Sequence, residues 1–354
     1  MNEPQESGLR TGALVALLLG AAQAPLGSTM IAVALPSIGT ALHAELSLVT
    51  SLLVTSYLIV NIVAQSPGGR LADALGHART VRIGLALQAG GGCVGFVARG
   101  LSSLMVARSM IACGGALIIP ATLALVRVHV PAQRRGRVFG WFGATMGLSA
   151  AVGPPLGGEL LTLFGWRSIF VVGLPFVALA AVLTRIYHLP PSAAPRKTFG
   201  ESVRTFDWIG TALLAVALAA LVVASKAHGQ TQWLGLAGSV ALGIAFVLWE
   251  GRSADPVLDP RMFRLNGFGT GTLVIALWNF AMYGLLFQLP GYFERVRGVE
   301  PHAVGRVLFT MMLAMFVCAP LGGRLTDRLG PRNAGLLAVV PNLAGMLMLR
   351  GITS

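Results

Sequence analysis

Gly69-Arg70-Leu71-Ala72-Asp73-Ala74-Leu75-Gly76-His77-Ala78-Arg79 and, far downstream, Gly323-Arg324-Leu325-Thr326-Asp327-Arg328-Leu329-Gly330-Pro331-Arg332 are two versions of one pattern. In both, Gly-Arg-Leu leads to an Asp, Leu-Gly follows, and an Arg closes the segment. Both are flanked by long apolar runs. A charged, Gly-bounded hairpin recurring between hydrophobic helices marks an internally duplicated membrane protein. Internal repeats of this kind are the architecture of secondary transporters.

Composition agrees. Charged residues are 11% of the chain, against about a quarter in a soluble domain, hydrophobic residues are 55%, and the mean hydropathy is +0.75. No soluble core could absorb that much apolar sequence. The net charge of +13 does not indicate nucleic acid, because the basic residues are spread through short loops rather than gathered on one face. All but Lys197 and Lys226 of the 26 basic residues are Arg. Cys93, Cys113 and Cys318 lie inside apolar runs without CxxC spacing, which argues against a disulfide or a metal site. The first apolar run lacks a strongly basic front and a small-residue cleavage site, so it reads as a retained first helix.

A membrane-spanning helix needs about 20 mostly apolar residues. Eleven candidate spans follow: Thr11–Pro36, Ser47–Pro67, Thr80–Ala98, Ser102–Val126, Val138–Leu163, Ser168–Leu183, Trp208–Ser225, Trp233–Trp249, Phe268–Leu289, Ala303–Leu321 and Ala334–Leu349. With the N-terminus inside, most basic residues fall on the cytoplasmic side, including Arg70, Arg79, Arg127, Arg134, Arg135, Arg137, Arg185, Arg252, Arg324, Arg328 and Arg332. Arg99, Arg167, Lys226, Arg295, Arg297 and Arg350 fall outside. This is a positive-inside distribution, and it places both hairpins in the cytoplasm of a multi-pass plasma-membrane protein. Eight spans separate the hairpins where a plain six-plus-six duplication would have six. The expected organisation is therefore a six-helix N-terminal bundle (residues 1–190), a cytoplasmic linker (191–207), two inserted helices (208–250) and the first three helices of an incomplete C-terminal bundle (251–354).

These motifs resemble the major facilitator superfamily, and within it the fourteen-helix drug:proton antiporters. The hairpins are similar to that family's signature after the second helix of each half. Ser28-Thr29 with Ala34-Leu35-Pro36 resembles its first-helix motif. Gly147, Gly153-Pro154 and Gly157-Gly158 resemble its antiporter signature in helix 5. Gly165-Trp166-Arg167-Ser168-Ile169-Phe170 and Asp255-Pro256-Val257-Leu258-Asp259 resemble the segments after helix 5 and before the second half. The resemblance implies the major facilitator fold and an exporter of lipophilic or cationic small molecules, exchanging substrate for protons by alternating access.

It also implies residue roles. Gly69, Asp73, Gly76 and Arg79, with Gly323, Asp327, Arg328 and Gly330, form gating hairpins whose Asp docks on a helix start in the opposite half. For Asp327 that is the start of helix 5, beside Arg134, Arg135 and Arg137. A carboxylate at a helix N-terminus gains about 0.3–1 kcal/mol, more if partly buried. The first hairpin departs from the family with Ala74 and His77-Ala78 at usually basic positions. In helix 5, Gly143, Gly147 and Ala151 follow small-xxx-small spacing, repeated by Gly153 and Gly157, which lets backbones approach closely. Pro154 and Pro155 are expected to bend the helix.

Arg108 lies within helix 4, about 9 Å deep at 1.5 Å per residue. The resemblance implies a part in proton coupling, acting on a nearby carboxylate; snorkelling to the outer interface is the simpler alternative. The chain carries Ile111 where the family usually has Gln, and Gly27 where it usually has Asp. Glu159 is then the intramembrane candidate for a coupling carboxylate, against an interfacial role.

Tyr57, Asn61 and Gln65 share one face of helix 2 at spacing four, and Asn279 and Tyr283, beside Trp278, repeat it in the second half. Either these line a central substrate cavity or they bond neighbouring helices. The His residues are scattered and no HExxH, GxSxG or Walker pattern is present, so neither an enzyme, a cofactor nor an ATP-driven pump is expected. Two alternatives stay open: a truncated or partner-dependent membrane protein that does not transport alone, and a metabolite importer of the same fold.

Overall fold

The computed structural model describes residues 9–190, 199–253, 256–265, 267–295 and 301–353. Among them the chain is all-helical. We number the helices α1 (Thr11–Ala41), α2 (Leu46–Leu75), α3 (His77–Phe96), α4 (Leu101–His129), α5 (Ala132–Phe164), α6 (Ser168–Ile186), α7 (Phe199–Arg204), α8 (Trp208–Lys226), α9 (Gln230–Glu250), α10 (Phe268–Arg295) and α11 (Pro301–Thr353). A short 3-10 turn, Pro260–Arg264, precedes α10.

Each of the eleven expected stretches is helical. Among the described residues, seven helices are long and apolar enough to cross a membrane: α1, α2, α4, α6, α8, α9 and the Phe309–Met348 part of α11. The last contains two of the expected stretches, divided at Gly330 (φ 78°). α3 and α5 are long enough but less apolar, because α3 carries Arg79, Arg82 and Gln88 and α5 carries Glu159 with two prolines. α10 is helical over the whole of the expected stretch Phe268–Leu289.

The repeated segments differ from the open hairpins expected. Gly69–Leu75 is the last part of α2, and the chain breaks only at Gly76 (φ 87°). Its counterpart runs helically to Gly330. Such dihedrals exclude a side chain without strain, so glycine is required at both breaks. Pro154 and Pro155 lie inside α5, which is helical on both sides of them.

Two apolar clusters hold the N-terminal half together. One joins Met30, Ile31, Ile38, Leu53, Leu104 and Phe170. The other joins Leu17, Leu85, Ile118, Leu125 and Val177. In lipid, helices gain little from apolar contact as such and associate by close packing. Backbone contact between α3 and α4 supplies it: a Cβ on Gly84 would lie 2.8 Å from Gly114 O, and one on Gly114 would lie 2.6 Å from Gly84 O. α8 and α9 pair with each other, with Ser239 Oγ donating to Ala217 O at 3.0 Å.

Segment 191–198 of the expected linker lies outside the described residues. Beyond it, the inserted pair is tied to the first half. Asp207 caps α8 through Gly210 N (2.7 Å) and accepts from Trp249 Nε1 of α9 (2.9 Å). Glu250, 2% exposed, accepts from Leu258 N at 2.9 Å. Arg70 and Ser66 of α2 donate to Pro256 O (2.6 Å) and Val257 O (3.0 Å).

Candidate functional site

The two halves meet where the second repeated segment reaches the start of α5. The Asp327 carboxylate accepts from Gly136 N at 2.7 Å through Oδ1 and from Arg137 N at 2.8 Å through Oδ2. Those N–H groups belong to the fifth and sixth residues of α5, near the positive end of the helix dipole. Approach this close depends on glycine. A Cβ on Gly136 would strike the Asp327 carboxylate, and one on Gly140 would lie 2.7 Å from Ala319 O. Gly323 sits against Gly136 O and Gly140 in the same way. Arg134 and Arg328 are exposed beside this contact.

The first segment is arranged differently. Asp73 is 79% exposed and has His77 Nε2 at 3.8 Å. Gly69 has no atom near where a Cβ would stand, and Arg79 is exposed. Arg70, which sequence reasoning had assigned only to topology, is the residue that engages, through Pro256 O and the Phe206 ring.

The antiporter-motif glycines of α5 face different neighbours. A Cβ on Gly147 would lie 3.0 Å from Met315 Sδ of α11. Gly153 abuts Thr29 and Leu26 O of α1, and Gly157 lies against Met30. Gly158 has nothing within 4 Å and Pro154 is exposed.

Arg108 does not snorkel. It is 2% exposed, its Nε donates to Leu53 O at 2.9 Å, and its guanidinium stacks over the Tyr57 ring at 3.9 Å. Leu53 lies in a π-helical turn of α2, Ser51–Thr55. Such turns displace carbonyls from the regular ladder. Arg108 Nη2 has no hydrogen-bond partner. A desolvated cation–π contact is worth roughly 2 kcal/mol and a charged hydrogen bond about 1.5–3 kcal/mol. Burying an ion costs several kcal/mol even after relaxation. Neither partner carries a full negative charge, so the guanidinium has no counter-ion among them. Glu159, the carboxylate expected to act with it, is exposed on α5, so the two are not brought together.

Arg108 lines a cavity of ≈ 40 Å³ with Gln23, Gly27 and Gln88, walled by Met30, Ile111 and Phe170. Gln88 is 4% exposed; its Nε2 donates to Gly20 O at 3.2 Å and its Oε1 has no partner.

Among the residues expected around a substrate cavity, Tyr57 and Asn61 bond neighbouring helices, and Gln65 and Asn279 bond within their own. Tyr57 is buried, with its hydroxyl 3.5 Å from Ala24 O, and Asn61 Nδ2 donates to Ala112 O at 3.2 Å. Gln65 is exposed and bonds back to Asn61. Asn279 bonds its own helix at Ile275 O (2.9 Å), Trp278 is 53% exposed, and the Tyr283 side chain lies outside the described residues.

Sequence comparison places this geometry in a family. The Major Facilitator Superfamily profile matches residues 17–352. The chain belongs to the Major Facilitator Superfamily. Members of that superfamily are multi-pass membrane transporters rather than enzymes. The chain is 32% identical over 96% of its length to a tetracenomycin C resistance and export protein of Streptomyces glaucescens, of which it covers 65%. It is 33% identical over 84% of its length to multidrug resistance protein Stp of Mycobacterium tuberculosis, of which it covers 54%. A riboflavin transporter of Clostridioides difficile, RibZ, is 26% identical over 95% of the chain. The superfamily chain thus spans about half to two thirds of the length of the two resistance proteins. Among solved structures, the proton:xylose symporter XylE superposes with a TM-score of 0.60 over 89% of the chain, at 14% identity. That likeness bears on the fold alone.

Proposed function

We propose that this superfamily member exports bulky, lipophilic small molecules across the plasma membrane by alternating access, in exchange for protons, with its N-terminus in the cytoplasm. The observation that carries the reading is the contact of Asp327 with the start of α5. It joins the halves through two charge-assisted bonds at one end of the molecule. A contact worth about 1–2 kcal/mol is strong enough to bias a two-state equilibrium and weak enough to break in each cycle. Export and substrate class rest on the two resistance relatives, and the orientation rests on the distribution of Arg.

The test is efflux of a lipophilic cationic dye from energised cells expressing the chain. Dye retention is expected to fall relative to vector-only cells, and a protonophore is expected to restore it. Efflux indifferent to the protonophore would sink proton exchange. The riboflavin transporter among the relatives favours a second reading, metabolite transport. Dye retention equal to the vector control, with raised uptake of a metabolite, would select it.

A further inference from the structure

We infer that the cavity between α1, α3, α4 and α6 binds one small monovalent anion of halide size, as counter-ion to the buried guanidinium of Arg108.

Charge supplies the first argument. Arg108 stays protonated under ordinary conditions, it is 2% exposed, and among the described residues no carboxylate pairs with it. Buried charges are otherwise found paired. Its bonds to Leu53 O and the Tyr57 ring bring no full negative charge. Nη2 remains open, and the residue lines the cavity.

Volume supplies the second. Roughly 10–15 Å³ of such space holds one water, so ≈ 40 Å³ has room for a halide with one or two waters. A water beside the ion would donate to Gln88 Oε1, the other unpartnered atom of the cavity wall. Water alone would satisfy both atoms and leave the charge unbalanced.

The third argument is position. All the lining residues lie between Gln23 and Val177, so the site is complete within the first half. It is separate from the contact of Asp327 with α5. A Cβ on Gly27 would lie 3.9 Å from Arg108 Nη1. A carboxylate introduced there would supply from within the chain the charge that the anion supplies from outside.

The experiment is thermal unfolding of the purified full chain in detergent, with sodium gluconate replaced stepwise by chloride, bromide or acetate at constant ionic strength. Saturable rises in Tm with chloride and bromide are expected, with acetate weaker. Gly27→Asp is expected to unfold at higher temperature than the wild type without chloride and to lose the chloride response. Arg108→Met is expected to lose the response as well. A wild type with no saturable chloride response overturns the proposal, as does a folded Gly27→Asp or Arg108→Met that keeps it. A response to acetate but not to halides overturns the assigned size. Should neither variant fold, bromide-soaked crystals decide: an anomalous peak beside Arg108 supports the site, and a peak elsewhere or none rejects it.

Discussion

Asp207 shows how one side chain serves two helices. Its carboxylate caps α8 and accepts the indole N–H of Trp249 from α9. Burial pushes its pKa up, but the bonds from Gly210 N–H, Trp249 and Ser253 and the nearby charge of Arg70 outweigh that, and the net shift is downward. A carboxylate whose folded pKa lies below the unfolded value of about 3.9 contributes stability that is fully present above that value. The contribution is lost as pH falls through the folded pKa. Thermal unfolding between pH 6 and pH 3 should therefore show a steeper loss below about pH 4 in the wild type than in Asp207→Asn. Asn keeps the cap, so at pH 6 the variant should be only modestly less stable. Parallel pH profiles would refute the role. An Asp before an apolar run is legible in sequence as a helix start. Its bond to Trp249 is not, because only the pairing of α8 with α9 brings the two together. Arg108 reads the same way: its rarity as a charge inside a helix singles it out, whereas its neighbours Gln23 and Gln88 carry no periodic signal.

At the scale of the element, α5 was legible in its spacing and illegible in its partners. Small residues every four positions announce a packed face. That Gly147 meets α11 while Gly153 and Gly157 meet α1 depends on how the helix crosses between the halves. Gly158, adjacent in the motif, points at neither. Gly153→Ala forces a Cβ onto Thr29 and Leu26 O and should cost about 1–3 kcal/mol. Gly158→Ala should change stability by less than about 0.5 kcal/mol. Melting temperatures and detergent-extractable yield measure both, and equal losses would show that the motif acts by composition rather than by contact. The pair Tyr57 and Asn61 teaches the complementary lesson. Their shared face was visible, but two explanations fitted it, and the hydrogen bonds to α1 and α4 favour interhelical bonding over a cavity wall.

Across the whole molecule, duplication was readable, and so was part of the asymmetry, because the first segment departs from the family pattern at Ala74 and His77-Ala78. Both repeats break at a glycine of positive φ, yet only Asp327 is docked, while Asp73 is 79% exposed. The segments differ beside the Asp, with Ala74 and His77-Ala78 against Arg328 and Pro331-Arg332, and they also meet different surroundings. Asp327 meets Gly136 N and Arg137 N near the start of α5, and the first segment is held instead through Arg70 and Ser66. Replacing Asp327 with Asn removes the charge and turns one acceptor into a donor facing an N–H. A loss of about 1.4 kcal/mol is a tenfold shift in a two-state equilibrium, within the range for a partly buried charge at a helix end. Spin labels on cysteines at the exposed positions 134 and 328, in a background lacking Cys93, Cys113 and Cys318, would report it. The wild type should give a short distance across the closed contact, and Asp327→Asn should add a second, longer population. Asp73→Asn, altering an exposed group on the other repeat, should leave the distances unchanged. If Asp327→Asn leaves them unchanged as well, the glycine-lined approach of α11 to α5 alone holds the halves together, and the carboxylate is not the latch.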